Sequence, residues 1–238
     1  HRLNKKTPHA AKSEAVEPIV YYLDPGIPEP VMTALKEGAS WWNQAYEAAG
    51  YKDAFQVKVL PEGADPMDVR YNVINWVHRA TRGWSYGSSV VDPRTGEIIK
   101  GHVTLGSLRV RQDYLIALGL TSPFKEGNTD TTAQQEMALD RIRQLSAHEV
   151  GHTLGIAHNF AASENNRASV MDYPHPKISI KNGKISLEGA YDKGIGAWDI
   201  HAVEYGYQDF ASDVEEAEAL AKIIVKGRNE GLSFKSDP

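Results

Sequence analysis

The stretch HEVGHTLGIAHN, residues 148–159, fixes one local geometry and one chemistry together. His148 and His152 are four residues apart, so on an α-helix they stand on the same face and present two imidazoles to one point. Glu149 lies one step round that helix. It can reach a water at the same point while staying off the ligand line, where a general base belongs. Gly155 is expected to stop the helix in the left-handed conformation that glycine adopts without a side-chain penalty, turning the chain so that His158 comes back to the pair. Three neutral imidazoles leave a tetrahedral zinc with one open position, as in catalytic rather than closed structural sites. The third histidine and the glycine set this stretch apart from a bare H-E-x-x-H, which turns up by chance in unrelated chains.

Composition removes several alternatives. The 238 residues contain no cysteine, so neither a disulfide framework nor a thiolate metal site is available, and ligands must be histidine or carboxylate. The net charge of -5 gives no basic field for nucleic acid, and the lysines and arginines are scattered. No stretch approaches the ~18 consecutive apolar residues of a transmembrane helix. With 41% hydrophobic residues the chain can bury one substantial domain, read here as two lobes around a cleft. Its opening, HRLNKKTPHAAK, reads as an interior piece of a longer chain with further flanking domains.

Residues 1–17 are polar and aperiodic, which predicts a linker or a segment ordered only by packing on the body, with the domain starting near Pro18. IVYYLD, FQVKVL, YNVINWVHR and GSSVVDPRTGEIIKGHVTLGS read as strands. Apolar residues at helical spacing predict one long helix from about Glu29 to Ala49, and another runs from about Thr132 to Leu154 into the histidine motif. Asn182-Gly183 suits a type I′ hairpin turn in ISIKNGKISLE, and SDVEEAEALAKIIVKGRNE reads as an amphipathic helix.

These residues resemble the metzincins, the zinc endopeptidase clan that includes astacins, serralysins, matrixins and pappalysins. Met171, in SVMDYP thirteen residues after His158, takes the place of the clan's Met-turn methionine. Tyr173 takes the place of a tyrosine that stabilises the oxyanion in astacins and serralysins. GAWDIHAVEYGY is similar to the clan's last helix, from which Asp199 would brace the Met-turn. PIVYYLDPGIPE and GHVTLGS look like the metzincin domain of large Bacteroidetes-type proteases. The resemblance implies an α+β metzincin-like zincin, with a twisted mixed sheet and an active-site helix over a mostly helical lower lobe. The catalytic domain would span residues 18–210, the upper lobe to about 157 and the lower from about 158, followed by a helical tail at 211–238. It also implies an edge strand that pairs with extended substrate, for which Val103, Thr104, Leu105 and Gly106 are the candidates, and a substrate-pocket wall near His175. An extracytoplasmic location follows from the same comparison.

The functional expectation is a zinc-dependent endopeptidase acting on peptide or protein. One zinc is held by His148, His152 and His158, Glu149 is the general base of the zinc-activated water, and Tyr173 is the oxyanion donor. Gly155, Met171 and Asp199 shape the site. Calcium is left unassigned, because no D-x-[DN]-x-[DN]-G loop is present. Two other readings stand beside it: an inactive zinc-binding domain that recognises peptide or glycan, and a zinc aminopeptidase. The second would more commonly take a glutamate as third ligand.

Overall fold

The computed structural model describes residues 1–81, 83–122 and 130–238. A short strand β1 (Ser13–Glu14) precedes β2 (Ile19–Leu23), and helices α1 (Val31–Ser40) and α2 (Trp42–Ala48) lead into β3 (Tyr51–Lys52). Strands β4 (Phe55–Val59), β5 (Asn72–Val77), β6 (Tyr86–Val91) and β7 (Ile98–Gly106) follow. Then come α3 (Leu108–Thr121), α4 (Thr132–Thr153), the hairpin β8 (Ser179–Lys181) and β9 (Lys184–Ser186), α5 (Ala197–Tyr207) and α6 (Glu216–Asn229).

The main sheet has the order β4-β2-β5-β7-β6. The first four strands are mutually parallel, and β6 alone runs antiparallel, against β7. Alternation drives β2, where Ile19, Tyr21 and Leu23 are buried, whereas Val103, Thr104 and Leu105 of β7 are buried in succession, as on a strand covered on both faces. Helices α1 and α4 pack on each other, α1 also touching β4 and α4 touching β6 and β7. The core between them gathers Trp42, Tyr46, Tyr51, Phe55, Ile142 and Val150. This mixed sheet with its packed helices is the α+β architecture expected from the sequence.

Two details differ from the sequence reading, and two others complete it. Val103 and Thr104 do not lie on an edge, because β7 is bonded there to β5 on one side and to β6 on the other, whereas Leu105 and Gly106 pair with β5 alone. The edge strand beside it is β6. The helix predicted over 29–49 is broken at Trp41, where the N–H of Trp41 bonds three residues back to Gly38 O at 3.2 Å. Residues 1–17 are not a free linker: β1 pairs with β3, Leu3 and Ala15 are buried, and Lys5 N–H donates to Asp209 Oδ2 at 2.7 Å. A two-residue strand and two apolar anchors leave no periodic trace in a sequence. The tail is likewise part of the body, since α6 packs on α5 with Ile223 and Gly227 buried.

Candidate metal centre and catalytic groups

Two long-range bonds pin the turn of α4 that carries the motif. Ser146 Oγ donates to Leu35 O of α1 at 2.7 Å, and the Trp42 indole of α2 donates to Ala147 O at 2.8 Å. His148 and Glu149 follow directly, both buried. The helix then ends in a Schellman closure: Ile156 N–H bonds to Gly151 O and Gly155 N–H to His152 O, each at 3.1 Å. Gly155 has φ +87°, so a residue with a side chain would be strained there.

The three imidazoles converge. Each Nδ1 lies against an oxygen acceptor: Val170 O at 2.8 Å for His148, Ile156 O at 3.0 Å for His152 and Asp237 Oδ2 at 2.7 Å for His158. A carbonyl or carboxylate cannot donate, so Nδ1–H donates in all three and each Nε2 is left with a lone pair. His152 Nε2 lies 3.2 Å from His148 Nε2 and 3.1 Å from His158 Nε2, and the three atoms fall within 4.8 Å of one another. Lone pairs at that separation repel unless a cation sits among them. A tetrahedral zinc with N ligands at about 2.0–2.1 Å sets N···N edges of about 3.3 Å, close to the two edges that His152 makes, while the third lies within 4.8 Å. Burial, helped by the neighbouring imidazoles, pushes His148 down to about 3, so a proton is not the cation. The residues therefore fit zinc.

Beneath the ligands lies the turn at Met171, a fully buried side chain. A Cβ on Gly151 would collide with the Met171 sulfur, so the Met171 side chain packs directly on the helix backbone there. Asp199, near the start of α5, is wholly buried and organises that turn: Oδ1 accepts from Ser169 Oγ at 2.6 Å, and Oδ2 accepts from the N–H of Val170 and of Gly196, each at 2.8 Å. Since Val170 O in turn holds His148, Asp199 acts on that imidazole through one residue. Asn159 ties the same region to the chain end. Its N–H donates to Met171 O at 3.0 Å, its Nδ2 to Ser233 O at 2.9 Å, and its Oδ1 accepts from Lys235 N–H at 3.1 Å.

Glu149 is pushed up to about 7 by burial, against the opposing pull of the Arg141 guanidinium and the Gly87 N–H on β6. Tyr173 is 56% exposed, with its ring 5.2 Å from that of His148 and 4.6 Å from that of His158. Its hydroxyl is pushed up by burial first and by the Glu149 charge second. Glu149, Tyr173 and His175 all border one cavity of about 700 Å³. A second cavity, about 820 Å³, lies behind the Gly155 turn, and none of the three borders it.

Among the sequence candidates, His148, His152, His158, Glu149, Gly155, Met171, Tyr173 and Asp199 thus form one neighbourhood. His175 sits at its margin. Val103, Thr104, Leu105 and Gly106 are buried in the sheet interior. Sequence reasoning missed Asp237, Asn159 and Arg141. Asp237 reaches His158 across 79 positions, and no spacing rule spans that distance. Arg141 left a trace: it lies seven residues before His148 on the same helix face, a charge on a stripe that is otherwise buried.

Residues 130–238 match the model of a family described as Met-zincin. The matched stretch contains every residue of this neighbourhood. No significantly similar curated protein or solved structure was found.

Proposed function

We propose that the chain is a zinc endopeptidase of the metzincin type, with one zinc on His148, His152 and His158 and with Glu149 as general base, a reading supported by the match of residues 130–238 to the Met-zincin family and by the three converging histidines. The observation that carries this reading is the convergence of three Nε2 lone pairs beside a buried carboxyl that titrates near neutrality. When bound, zinc supplies a Lewis acid that lowers the pKa of water to ~7 and polarises a carbonyl.

The protein's own groups do the rest. Glu149 takes the proton of the attacking water and passes it to the departing amine, a task suited to a group titrating near the working pH. The Tyr173 hydroxyl donates to the oxyanion as it develops, and Tyr173→Phe should lower turnover by about 10²–10³ with zinc content unchanged. Strand β6 is the outermost strand of the sheet, and an extended peptide adding beside it would gain main-chain bonds with little sequence demand, apart from the Gly87 N–H that Glu149 already uses. Asp237 orients the third ligand and fixes its tautomer. Asp237→Ala should therefore weaken zinc binding by about 10- to 100-fold in competition with a fluorescent chelator, and an unchanged affinity would remove Asp237 from the site.

The test is cleavage of casein and of peptides blocked at both ends by the zinc-loaded chain. Activity restricted to free amino termini would favour the aminopeptidase instead, and zinc binding without cleavage would favour the inactive binding domain. The site works outside the cytoplasm in this reading, which rests on family resemblance. No helix among the described residues is long and apolar enough to cross a membrane.

A further inference from the structure

We propose that the cavity beside Glu149 is a carboxylate-binding subsite whose specificity is set by Arg141 and Arg109, an inference that rests on the peptidase reading above. The cavity, about 700 Å³, is bordered by Glu149 and Tyr173 and also by both arginines. Arg141 is only 7% exposed, yet its guanidinium contacts uncharged partners: the Gln144 side-chain oxygen, and the Tyr191 ring at 5.8 Å. Among the described residues no carboxylate lies within ion-pair distance of it. A buried guanidinium without a counter-ion is unfavourable, and a ligand that brings one relieves the cost.

The groups around Arg141 are Arg109, Asp113, Tyr191 and Glu149. Asp113, on α3, is already committed to Arg109, with Oδ1 at 2.9 Å from Nη2 and Oδ2 at 3.1 Å from Nε. Glu149 is engaged with the reacting water. Two guanidinium groups therefore share a single structural carboxylate at the cavity, and the Ser85 hydroxyl on its wall is buried without a hydrogen-bond partner. Arg109 retains 28% side-chain exposure, so it can turn a face to an incoming group while Asp113 holds it. A planar guanidinium fork matches a carboxylate in two bonds, which neutral side chains cannot provide.

The position of the cavity fixes which part of the substrate enters it. Glu149 hands its proton to the departing amine, so the amine half of the scissile bond lies on the Glu149 side, where this cavity begins. The residue just after the cut therefore supplies the carboxylate. Its source is either the side chain of Asp or Glu in that position, or the main-chain terminus of a substrate ending there.

The deciding experiment uses the zinc-loaded chain and a peptide library blocked at both ends, with the new amino termini read by mass spectrometry. Asp or Glu is expected directly after the cut at about 10- to 100-fold over Leu or Lys, the size of a charge-assisted bond. A second set carries Leu after the cut, either amidated or ending there as the free acid. Faster cleavage of the free acid assigns the carboxylate to the chain terminus. Arg141→Leu should abolish the preference and Arg141→Lys should partly restore it; Arg109→Gln, at a more exposed position, gives the same reading if Arg141→Leu does not fold. Cleavage without preference for either carboxylate, or a preference unchanged in the arginine variants, overturns the subsite and leaves the peptidase standing. If nothing is cleaved, the peptidase reading fails, and calorimetry decides the subsite by itself. N-acetylglutamyl amide binding at least tenfold tighter than its glutaminyl counterpart, with the difference lost in Arg109→Gln, upholds it; equal or absent binding overturns it.

Discussion

Glu149→Gln is expected to lower kcat by about 10²–10⁴ while the zinc content of the purified protein stays at one ion per chain. Glutamine keeps the shape of the side chain and its packing between α4 and β6, so His148 and His152 stay in place and only the base is lost. Burial pushes the Glu149 carboxyl up to about 7 in the protein without metal, and a bound cation draws it back down. The sign is fixed by the need for the ionised form: activity of the parent rises with pH as the carboxyl loses its proton, and falls away on the acid side. The residual activity of Glu149→Gln should lack that acid limb. Activity equal to the parent's on casein, at full zinc occupancy, would end the case for Glu149 as base.

Asp199→Ala is expected to destabilise the chain by about 3 kcal/mol. The carboxylate is the acceptor for the buried N–H of Val170 and the part-buried N–H of Gly196, and a stranded donor costs about 1–3 kcal/mol, less where water can reach it and partly offset because a buried charge is also removed. For a chain of this length that corresponds to roughly 6–12 °C in melting temperature. Asn at the same position keeps an oxygen for both N–H groups and should lose far less. The pH dependence separates the two effects. Burial pushes Asp199 from 3.8 up to about 6, so the folded state holds a proton that the unfolded state has released between those values. Stability from this group is therefore complete below about 3.8 and is lost as pH rises through about 6. Melting curves across that window should show a shallower slope in Asp199→Asn than in the parent, where Glu149 adds a slope of the same sign to that of Asp199. A slope of the same size in both would exclude Asp199 as its origin.

How much of this was legible depends on how local each signal is. The spacing of His148, Glu149 and His152 is a property of one helix, and Gly155 of one turn, so they could be read directly. Strands such as IVYYLD declare themselves through β-branched and aromatic content. α3 was not readable, because its buried positions are Asp113 and Ala117 while Leu115 and Ile116 face solvent, the reverse of the usual stripe. The edge of the sheet was misplaced by one strand for a related reason. β6 and β7 form a hairpin, and only the parallel pairing of β7 with β5 determines which of them lies inside. Asp237 and Asn159 act through bonds across more than 70 positions, so tertiary structure alone reveals them.

The bond from His158 to Asp237 also has a direction in time. A ribosome delivers the chain from its amino end, and the third imidazole is made 79 residues before the carboxylate that orients it. Throughout that interval His148 and His152 can form their own helix-borne and loop-borne bonds, but the His158 ring has no Asp237 to fix its tautomer. In the proposed zinc site, the nascent chain would therefore lack the bond that orients its third ligand until Asp237 has been made.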